Sequence, residues 1–364
     1  MSLLRFKHVT GLFISLVSAC SLTLAQPRID SVSGSPADGA TLTIAGANFG
    51  AKSPAAPKVY ASCRTSLNPD GPSIARAWNS VENMAWSSDN GGTCKASTGV
   101  APDGNSLAWG LELTDTWVAT TGSSFVYTYR RQMANFTASQ SSQNQKDFRI
   151  WADNGRGGNA TPDAGAHNYE GAFIVELEQT VGGYCTGDFN PNMALSDTNW
   201  HAEEYFLRGG SACGSGGGQF NFRRDGALKC SVSGFNTCSS ATGSKPLTRN
   251  YVYLMENENM LADPWNPAWS NNNRVWAKDI YGDMTWARVM VCSASTYAAC
   301  TDPTIQLPTA WGSGSITVTL NQGALTSLTN KYLYVFDSSN NVNPSGFQLT
   351  STGGVQIPAH LTVQ

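Results

Sequence analysis

The sequence has little charge and few histidines. Only 13% of its 364 residues are Asp, Glu, Lys or Arg, and it contains four histidines. Beyond residue 25 there are 21 basic and 26 acidic residues, a net charge of −5. A chain without surplus positive charge lacks the electrostatic attraction that nucleic acids and anionic membrane surfaces exert on proteins. We therefore predict no nucleic-acid partner and no electrostatic contact with a membrane.

Helical periodicity and familiar catalytic motifs are also missing. No stretch repeats its apolar residues every 3.6 positions, whereas alternating runs are frequent, as in Phe125–Tyr129 and Phe173–Leu177. There is no G-x-S-x-G, no metalloprotease motif and no C-x-x-C pair. The patterns predict an all-β fold, and the irregular spacing of the alternating runs is typical of a jelly-roll β-sandwich; the resemblance described below implies a small immunoglobulin-like β-sandwich in addition.

Residues 1–25 are typical of an export signal. Arg5 and Lys7 precede an apolar run, Val9–Ala19, that is too short to span a bilayer. Cleavage after Ala25 is one alternative. A bacterial lipoprotein box ending at Cys20, which would become lipidated, is the other. Both predict a location outside the cell or on the outer-membrane surface, with the membrane touched only through the lipid anchor.

Eight cysteines remain after Cys20, an even number that suits an exported chain with disulfides. Sequence alone does not fix their connectivity. Pairing each cysteine with its neighbour predicts Cys63–Cys94, Cys185–Cys213, Cys230–Cys238 and Cys292–Cys300.

Two distant segments resemble parts of one IPT/TIG domain, an immunoglobulin-like module. The first reads P-x-I-x-S-V-S-x-S from Pro27 and then T-L-T-I-A-G-A-N-F-G over Thr41–Gly50. The second contains S-I-T-V-T from Ser315 and K-Y-L-Y-V-F-D from Lys331. The resemblance implies one discontinuous domain, residues 27–60 and 288–350, followed by a tail at 351–364. Two unrelated β-modules in tandem are the alternative.

Between these segments, residues 61–287 are organised around a predicted hairpin at Asn199–Gly226. Alternation places His201, Glu203 and Tyr205 on one face of its first strand. A Gly/Ser loop, an aromatic strand and the turn Asp225-Gly226 follow. The order resembles the concanavalin A-like jelly rolls of lectins and polysaccharide-active proteins, which implies such a sandwich here.

Aromatic residues favour sugar binding, since a tryptophan offers a flat apolar face to a pyranose ring. The chain has 11 tryptophans. The sequence predicts an exported bacterial protein that recognises an extracellular polysaccharide without catalysis. The predicted sugar-binding residues are Trp265, Trp269, Trp276 and Glu203.

A polysaccharide lyase or glycoside hydrolase is the first alternative. Jelly-roll lyases use His or Tyr as the base and neutralise the sugar carboxylate with Arg, Asn or Gln. Strand parity permits such a set on one concave face. The candidate catalytic residues are His201, Tyr205, Arg149 and Arg223. The E-x-D-x-x-E arrangement of jelly-roll glucanases is absent. A structural adhesion protein is the second alternative.

No cofactor is required by these patterns, although a structural calcium ion is one hypothesis. The glycine-rich loop around residues 153–165 offers oxygen ligands of the kind that calcium prefers. The predicted ligands are Asp153, Asn154 and Asp163.

Overall fold

The computed structural model describes residues 25–57, 59–62, 80–81, 84–87, 93–97, 111–114, 123–132, 144–152, 163–169, 172–176, 199–208, 217–235, 249–254 and 274–350. Apart from a single 3-10 turn at Tyr297–Ala299, the regular structure of these residues is β-strand. Every described strand pair is antiparallel, and the predicted all-β fold is confirmed.

The described strands are numbered in chain order: β1 Arg28–Ser33, β2 Thr41–Ala47, β3 Val59–Ser62, β4 Ser80–Val81, β5 Met84–Ser87, β6 Thr93–Ser97, β7 Leu111–Thr114, β8 Ser123–Gln132, β9 Asn144–Ala152, β10 Asp163–Tyr169, β11 Ala172–Glu176, β12 Trp200–Arg208, β13 Gly218–Arg224, β14 Ala227–Phe235, β15 Arg249–Leu254, β16 Arg274–Asp283, β17 Arg288–Cys292, β18 Thr304–Ile305, β19 Leu307–Trp311, β20 Ser315–Thr319, β21 Tyr332–Phe336 and β22 Phe347–Gln348.

The central part of the chain forms two large sheets. One has eight strands in the order β14-β13-β12-β8-β16-β6-β5, with β3 also paired to β16. The other has six strands in the order β11-β10-β9-β15-β7-β4. Because β3 joins the eight-stranded sheet, its first two residues belong there, although the sequence placed them in the small module.

The predicted hairpin is present as β12 and β13, with β14 continuing past the next turn. Glu203 lies opposite Arg224 and Tyr205 opposite Phe222. Asp225 and Gly226, with φ of 51° and 73°, form the tight turn that the D-G pair predicts. A Cβ at Gly226 would lie 2.0 Å from the backbone oxygen of Cys300, so only glycine fits this contact.

Strands from both ends of the chain share one apolar core. The sheet β1-β2-β20-β19 and the sheet β18-β17-β21-β22 each have four strands. We call this pair the small sandwich. Its core consists of buried aliphatic residues and one aromatic: Ile29, Val32, Leu42, Ile44, Phe49, Val289, Val291, Ile316, Val318, Leu320, Leu325, Leu328, Leu333, Val335 and Leu349.

Both faces of β17 and β21 are buried. Val289 and Val335 belong to the small-sandwich core, whereas their neighbours Met290 and Phe336 belong to a second cluster. That cluster also contains Phe206 of β12, together with other residues of the eight-stranded sheet. The two-residue alternation of a strand thus lets one sheet pack on two partners. The second cluster therefore packs the small sandwich against the face of β12 that carries Phe206.

A disulfide closes a short loop beside this contact. Cys292 and Cys300 are bonded, as their spacing predicts. Cys230 is disulfide-bonded as well. Its predicted partner Cys238 lies outside the described residues, as do Cys63, Cys185 and Cys213, while the side chain of Cys94 is not described. Among the residues that the structure covers, no helix is both long and apolar enough for a membrane crossing.

Candidate functional site

The predicted catalytic residues do not share one face. Arg149 lies in β9 of the six-stranded sheet, opposite Gly165, whereas His201 and Tyr205 lie in β12. Direct cross-strand partners lie on the same face of a sheet. Arg223 pairs with Glu204, so it lies on the face opposite to Tyr205. Strand parity permits a set of His201, Tyr205 and Arg223, but the observed register places Arg223 on the other face of the sheet from His201 and Tyr205.

Two of the predicted site residues, Glu203 and Tyr205, are buried and hydrogen-bonded to each other. The Tyr205 hydroxyl donates a 2.7 Å hydrogen bond to Glu203 Oε2, and Arg224 Nε lies 3.5 Å from Glu203 Oε1. Glu203 is 0% exposed and Tyr205 1% exposed. Glu203 therefore cannot contact a polysaccharide in this state, which corrects its predicted role. Tyr205 is held as a donor to a buried carboxylate.

His201 lies at the start of β12 with a carboxylate partner. Its Nδ1 is 2.6 Å from Asp225 Oδ2, and the other oxygen of Asp225 accepts a 3.0 Å hydrogen bond from the backbone N–H of Ala202. The backbone N–H of Asp225 in turn donates to the carbonyl of Ala202. The D-G turn thus fixes a carboxylate that orients the imidazole, an arrangement able to support proton transfer.

The remaining predicted residues fall largely outside the described part. Trp265, Trp269, Asp153 and Asn154 are not described. Trp276 lies in β16 opposite Lys95 and Arg131, and Asp163 is the first residue of β10. Sugar binding by these tryptophans and calcium binding by these oxygens stay predictions.

Glu204, beside Glu203 in sequence, joins the two parts of the fold. Arg288 Nε lies 3.2 Å from Glu204 Oε2, and the Tyr297 hydroxyl donates a 2.8 Å bond to Glu204 Oε1. The guanidinium also lies between two aromatic rings, with its Cζ 4.6 Å from the Phe206 centroid and 3.6 Å from that of Phe336. Burial lowers the pKa of Arg288, and Glu204 opposes that shift. We call the group formed by Glu204, Arg288, Tyr297, Phe206 and Phe336 the junction cluster.

An open cleft of about 390 Å³ lies at the end of β12 that carries Arg208. Its walls come from four distant segments: the loop after β2, the end of β12, the end of β16 with the two residues after it, and the turn after β21. The lining residues are Ala51, Lys52, Ser53, Pro54, Arg208, Asp283, Met284, Thr285, Ser338 and Ser339. We call it the junction cleft.

Lys52 and Asp283 form a buried ion pair in one wall of the junction cleft. Lys52 Nζ is 2.6 Å from Asp283 Oδ2, and the Tyr281 hydroxyl donates a 2.9 Å bond to the same oxygen. The backbone N–H of Met284 donates to Asp283 Oδ1 at 2.8 Å. Burial lowers the pKa of Lys52 and raises that of Asp283, with each charge opposing the shift of the other. The charges of Lys52 and Asp283 therefore neutralise each other within the wall of the cleft.

Arg208 forms another wall. As the last residue of β12 it shares the face of Phe206, and its guanidinium Cζ lies 3.9 Å from the centroid of the Trp286 ring. Its NH2 group donates a 2.6 Å hydrogen bond to the carbonyl of Ser338. Burial lowers the pKa of Arg208, while the carboxylate of Asp337 acts in the opposite direction.

Asp337 shapes the turn that carries the serines of the cleft. Its Oδ1 accepts hydrogen bonds from the backbone N–H groups of Ser339 and Asn341, at 2.8 and 2.9 Å. Arg288 of the junction cluster donates a 2.7 Å bond to the side-chain oxygen of Asn340. The junction cluster therefore contacts the turn that carries Ser338 and Ser339.

Sequence reasoning missed the junction cleft and the partner of His201. The sequence predicts only a turn at Asp225, and it gives no role to Lys52. The one available signal for the cleft was the D-S-S-N-N run at residues 337–341, a composition typical of side-chain-capped turns. Nothing in the spacing of the four segments shows that they meet.

No family model and no curated protein matches this sequence, so the IPT/TIG resemblance stays a prediction. The fold is similar to an alginate lyase from Aplysia kurodai, with 8% identity, a TM-score of 0.42, and 62% of this chain and 98% of the other covered. It is also similar to an endo-1,3-beta-glucanase from Streptomyces sioyaensis, with 13% identity, a TM-score of 0.34, and 71% of this chain and 96% of the other covered. A third similar structure is the botulinum neurotoxin serotype G binding domain, with 10% identity, a TM-score of 0.37, and 77% of this chain and 72% of the other covered. All three TM-scores are below 0.5, so these similarities establish neither a shared activity nor a shared ligand.

Proposed function

We propose that this chain is an exported protein that recognises a polysaccharide without cutting it, and that the junction cleft contacts the sugar. The observation that carries this proposal is the cleft itself, whose volume of about 390 Å³ falls within the range of roughly 300–1,000 Å³ usual for small-ligand sites. Ser53, Thr285, Ser338 and Ser339 supply hydroxyl groups along its walls. Hydroxyls both donate and accept hydrogen bonds, as sugar hydroxyls do.

Export is part of the same proposal. The Cys292–Cys300 bond is of a kind that forms and persists in oxidising compartments. Together with the signal-like pattern of residues 1–25, it supports a location outside the cytoplasm.

The carboxylate content of the described cleft lining favours binding over hydrolysis. Glycoside hydrolysis commonly needs two carboxyl groups on either side of the scissile bond. Among the described residues that line the cleft, Asp283 alone carries a carboxylate, and Lys52 holds it at 2.6 Å. Lys52 therefore occupies that carboxylate, and no second carboxylate lines the described part of the cleft.

Affinity electrophoresis of the exported chain tests the proposal. Migration is compared in gels that contain different soluble polysaccharides, with bovine serum albumin as the non-binding control. We expect at least one polysaccharide to retard the chain. Unchanged migration in every gel would contradict recognition of polysaccharide and favour the adhesion alternative.

Lyase action is a second candidate function, favoured by one observation. His201 is held by Asp225 at 2.6 Å, as a general base needs a fixed orientation. Tyr205 is not available as the partner base, because its hydroxyl donates to buried Glu203. Any lyase site would therefore be built on His201 and lie at the opposite end of β12 from Arg208, about 23 Å away for seven residues of extended strand.

A lyase produces an unsaturated sugar at each new chain end, which absorbs ultraviolet light. A rise in that absorbance with a polyuronate, lost in His201→Ala and reduced in Asp225→Asn, would establish this second function. Absence of any rise would remove it.

A further inference from the structure

We infer that the junction cleft selects an uncharged stretch of sugar chain, and not the acidic sugars that its Lys and Arg side chains first suggest. This inference rests on the proposed function and names the class of ligand. It follows from how the charges and the hydroxyls of the cleft are arranged.

Lys52 and Arg208, the two cations among the described residues that line the cleft, each feel the charge of a carboxylate of the protein. Lys52 Nζ lies 2.6 Å from Asp283 and its side chain is 0% exposed. Arg208 interacts with the carboxylate of Asp337 and donates to the Ser338 carbonyl. A ligand carboxylate would have to compete with Asp283 for Lys52 inside the protein, where separating an ion pair is costly.

The carboxylates beside these two cations also weaken the attraction of the cleft for an acidic ligand. Asp283 neutralises Lys52, and the carboxylate of Asp337 acts on Arg208 from the neighbouring turn, so the attraction of the cleft for an anion is reduced. Like charges brought together in a binding site are a common means of rejecting the wrong ligand.

What the cleft presents to a ligand is neutral. Ser53, Ser338 and Ser339 are exposed at its rim, and Thr285 is half-buried in its wall. The Thr285 hydroxyl oxygen accepts from the backbone N–H of Ala287, which leaves its own O–H as a donor. Donors and acceptors of this kind match the hydroxyls of a neutral sugar.

The full exported chain is tested by affinity electrophoresis against three probes: a soluble β-1,3-glucan, a galactomannan and a polyuronate. Ser339→Trp fills the rim of the cleft, and Thr326→Trp, at an exposed position away from it, is the matched control. We expect retention by a neutral probe, weakened about tenfold or more in Ser339→Trp, which corresponds to roughly 1.4 kcal/mol. Thr326→Trp should bind like the wild type.

The dependence of retention on salt concentration distinguishes a neutral ligand from a charged one, and a loss of folding does not produce it. Retention through hydrogen bonds to a neutral sugar should be unchanged between about 0.05 and about 0.5 M NaCl, because no charges need to be screened. Thermal melting of Ser339→Trp checks that the variant is folded.

The results that would contradict the neutral-ligand inference, the junction cleft as the site, and the proposed function differ from one another. Retention by the polyuronate alone, lost in Ser339→Trp and at high salt, would overturn the neutral-ligand inference but leave polysaccharide recognition in place. Retention by any probe that Ser339→Trp does not weaken would overturn the junction cleft as the site. No retention by any probe would overturn the proposed function together with this inference.

Discussion

Glu203 and Glu204 are adjacent, identical and fully buried, yet they are held by different parts of the molecule. Glu203 is held within its own hairpin, by Tyr205 two residues away and by Arg224 across the pair. Glu204 is held by Arg288 and Tyr297, which are 84 and 93 residues further along the chain. The alternation of the strand sends the two side chains to opposite faces.

The difference separates two roles for a buried carboxylate. The Glu203 contacts fix one hairpin, whereas the Glu204 contacts fix the small sandwich against the eight-stranded sheet. The second set leads on to the turn that lines the junction cleft, through the hydrogen bond from Arg288 to Asn340. Variants on the Glu204 side should therefore affect both stability and polysaccharide retention, and variants on the Glu203 side stability alone.

The largest effect is expected from Arg288→Met. This change leaves Glu204 buried without its cation, and breaking such a pair costs about 3–5 kcal/mol. The free energy of unfolding is measured by urea titration. The double variant Glu204→Gln/Arg288→Met is the control and should recover part of the loss. A loss in Arg288→Met no larger than in the double variant would contradict the role given to this ion pair.

Removal of the disulfide should come next. Cys292→Ser/Cys300→Ser opens a loop with a sequence separation of 8 residues, for which chain entropy gives about 2–3 kcal/mol. The same loop carries Tyr297, so polysaccharide retention should weaken too. The measurement is a urea titration with and without reductant. A reductant effect of equal size in the double serine variant would show that another disulfide is responsible.

Removing one hydroxyl from each side compares the two carboxylates directly. Tyr297→Phe and Tyr205→Phe each delete a donor to a buried carboxylate, at 2.8 and 2.7 Å. We expect each to lose about 1.5–3 kcal/mol of unfolding free energy. Only Tyr297→Phe should also reduce retention in affinity electrophoresis. Equal retention by both variants would break the distinction between the two faces.

The smallest effect is expected from Tyr334→Phe. The Tyr334 hydroxyl donates a 2.5 Å bond to the Ala294 carbonyl, a contact worth about 1 kcal/mol at neutral pH. Burial, aided by nearby Tyr332, raises the pKa of Tyr334 to about 12. The unfolded tyrosine ionises near pH 10.

The sign of the pH dependence follows from that pKa. Between about pH 10 and 12 the unfolded chain releases a proton that folded Tyr334 retains, so the wild type loses stability as pH rises. Tyr334→Phe should show a shallower alkaline decline in thermal melting between these values. A wild-type decline with the same slope as that of the variant would contradict the raised pKa.

The sequence was informative wherever the cause of a structure is local. The alternation of β12, the D-G turn and the Cys292–Cys300 pairing all depend on residues close in sequence, and all three are present. Strand register was beyond such reasoning, since a shift of one residue moves Arg223 to the other face without changing any local pattern. Arg288 and Lys52 find their partners only through tertiary packing, so no local signal marks them.

The most direct test of the central claim combines retention with a search for cleavage. The polysaccharide that retains the chain most strongly is incubated with it, and new reducing ends are counted over time against a buffer blank. Our account predicts retention with no new reducing ends, and unchanged retention in His201→Ala. New reducing ends that disappear in His201→Ala would contradict it and establish an enzyme.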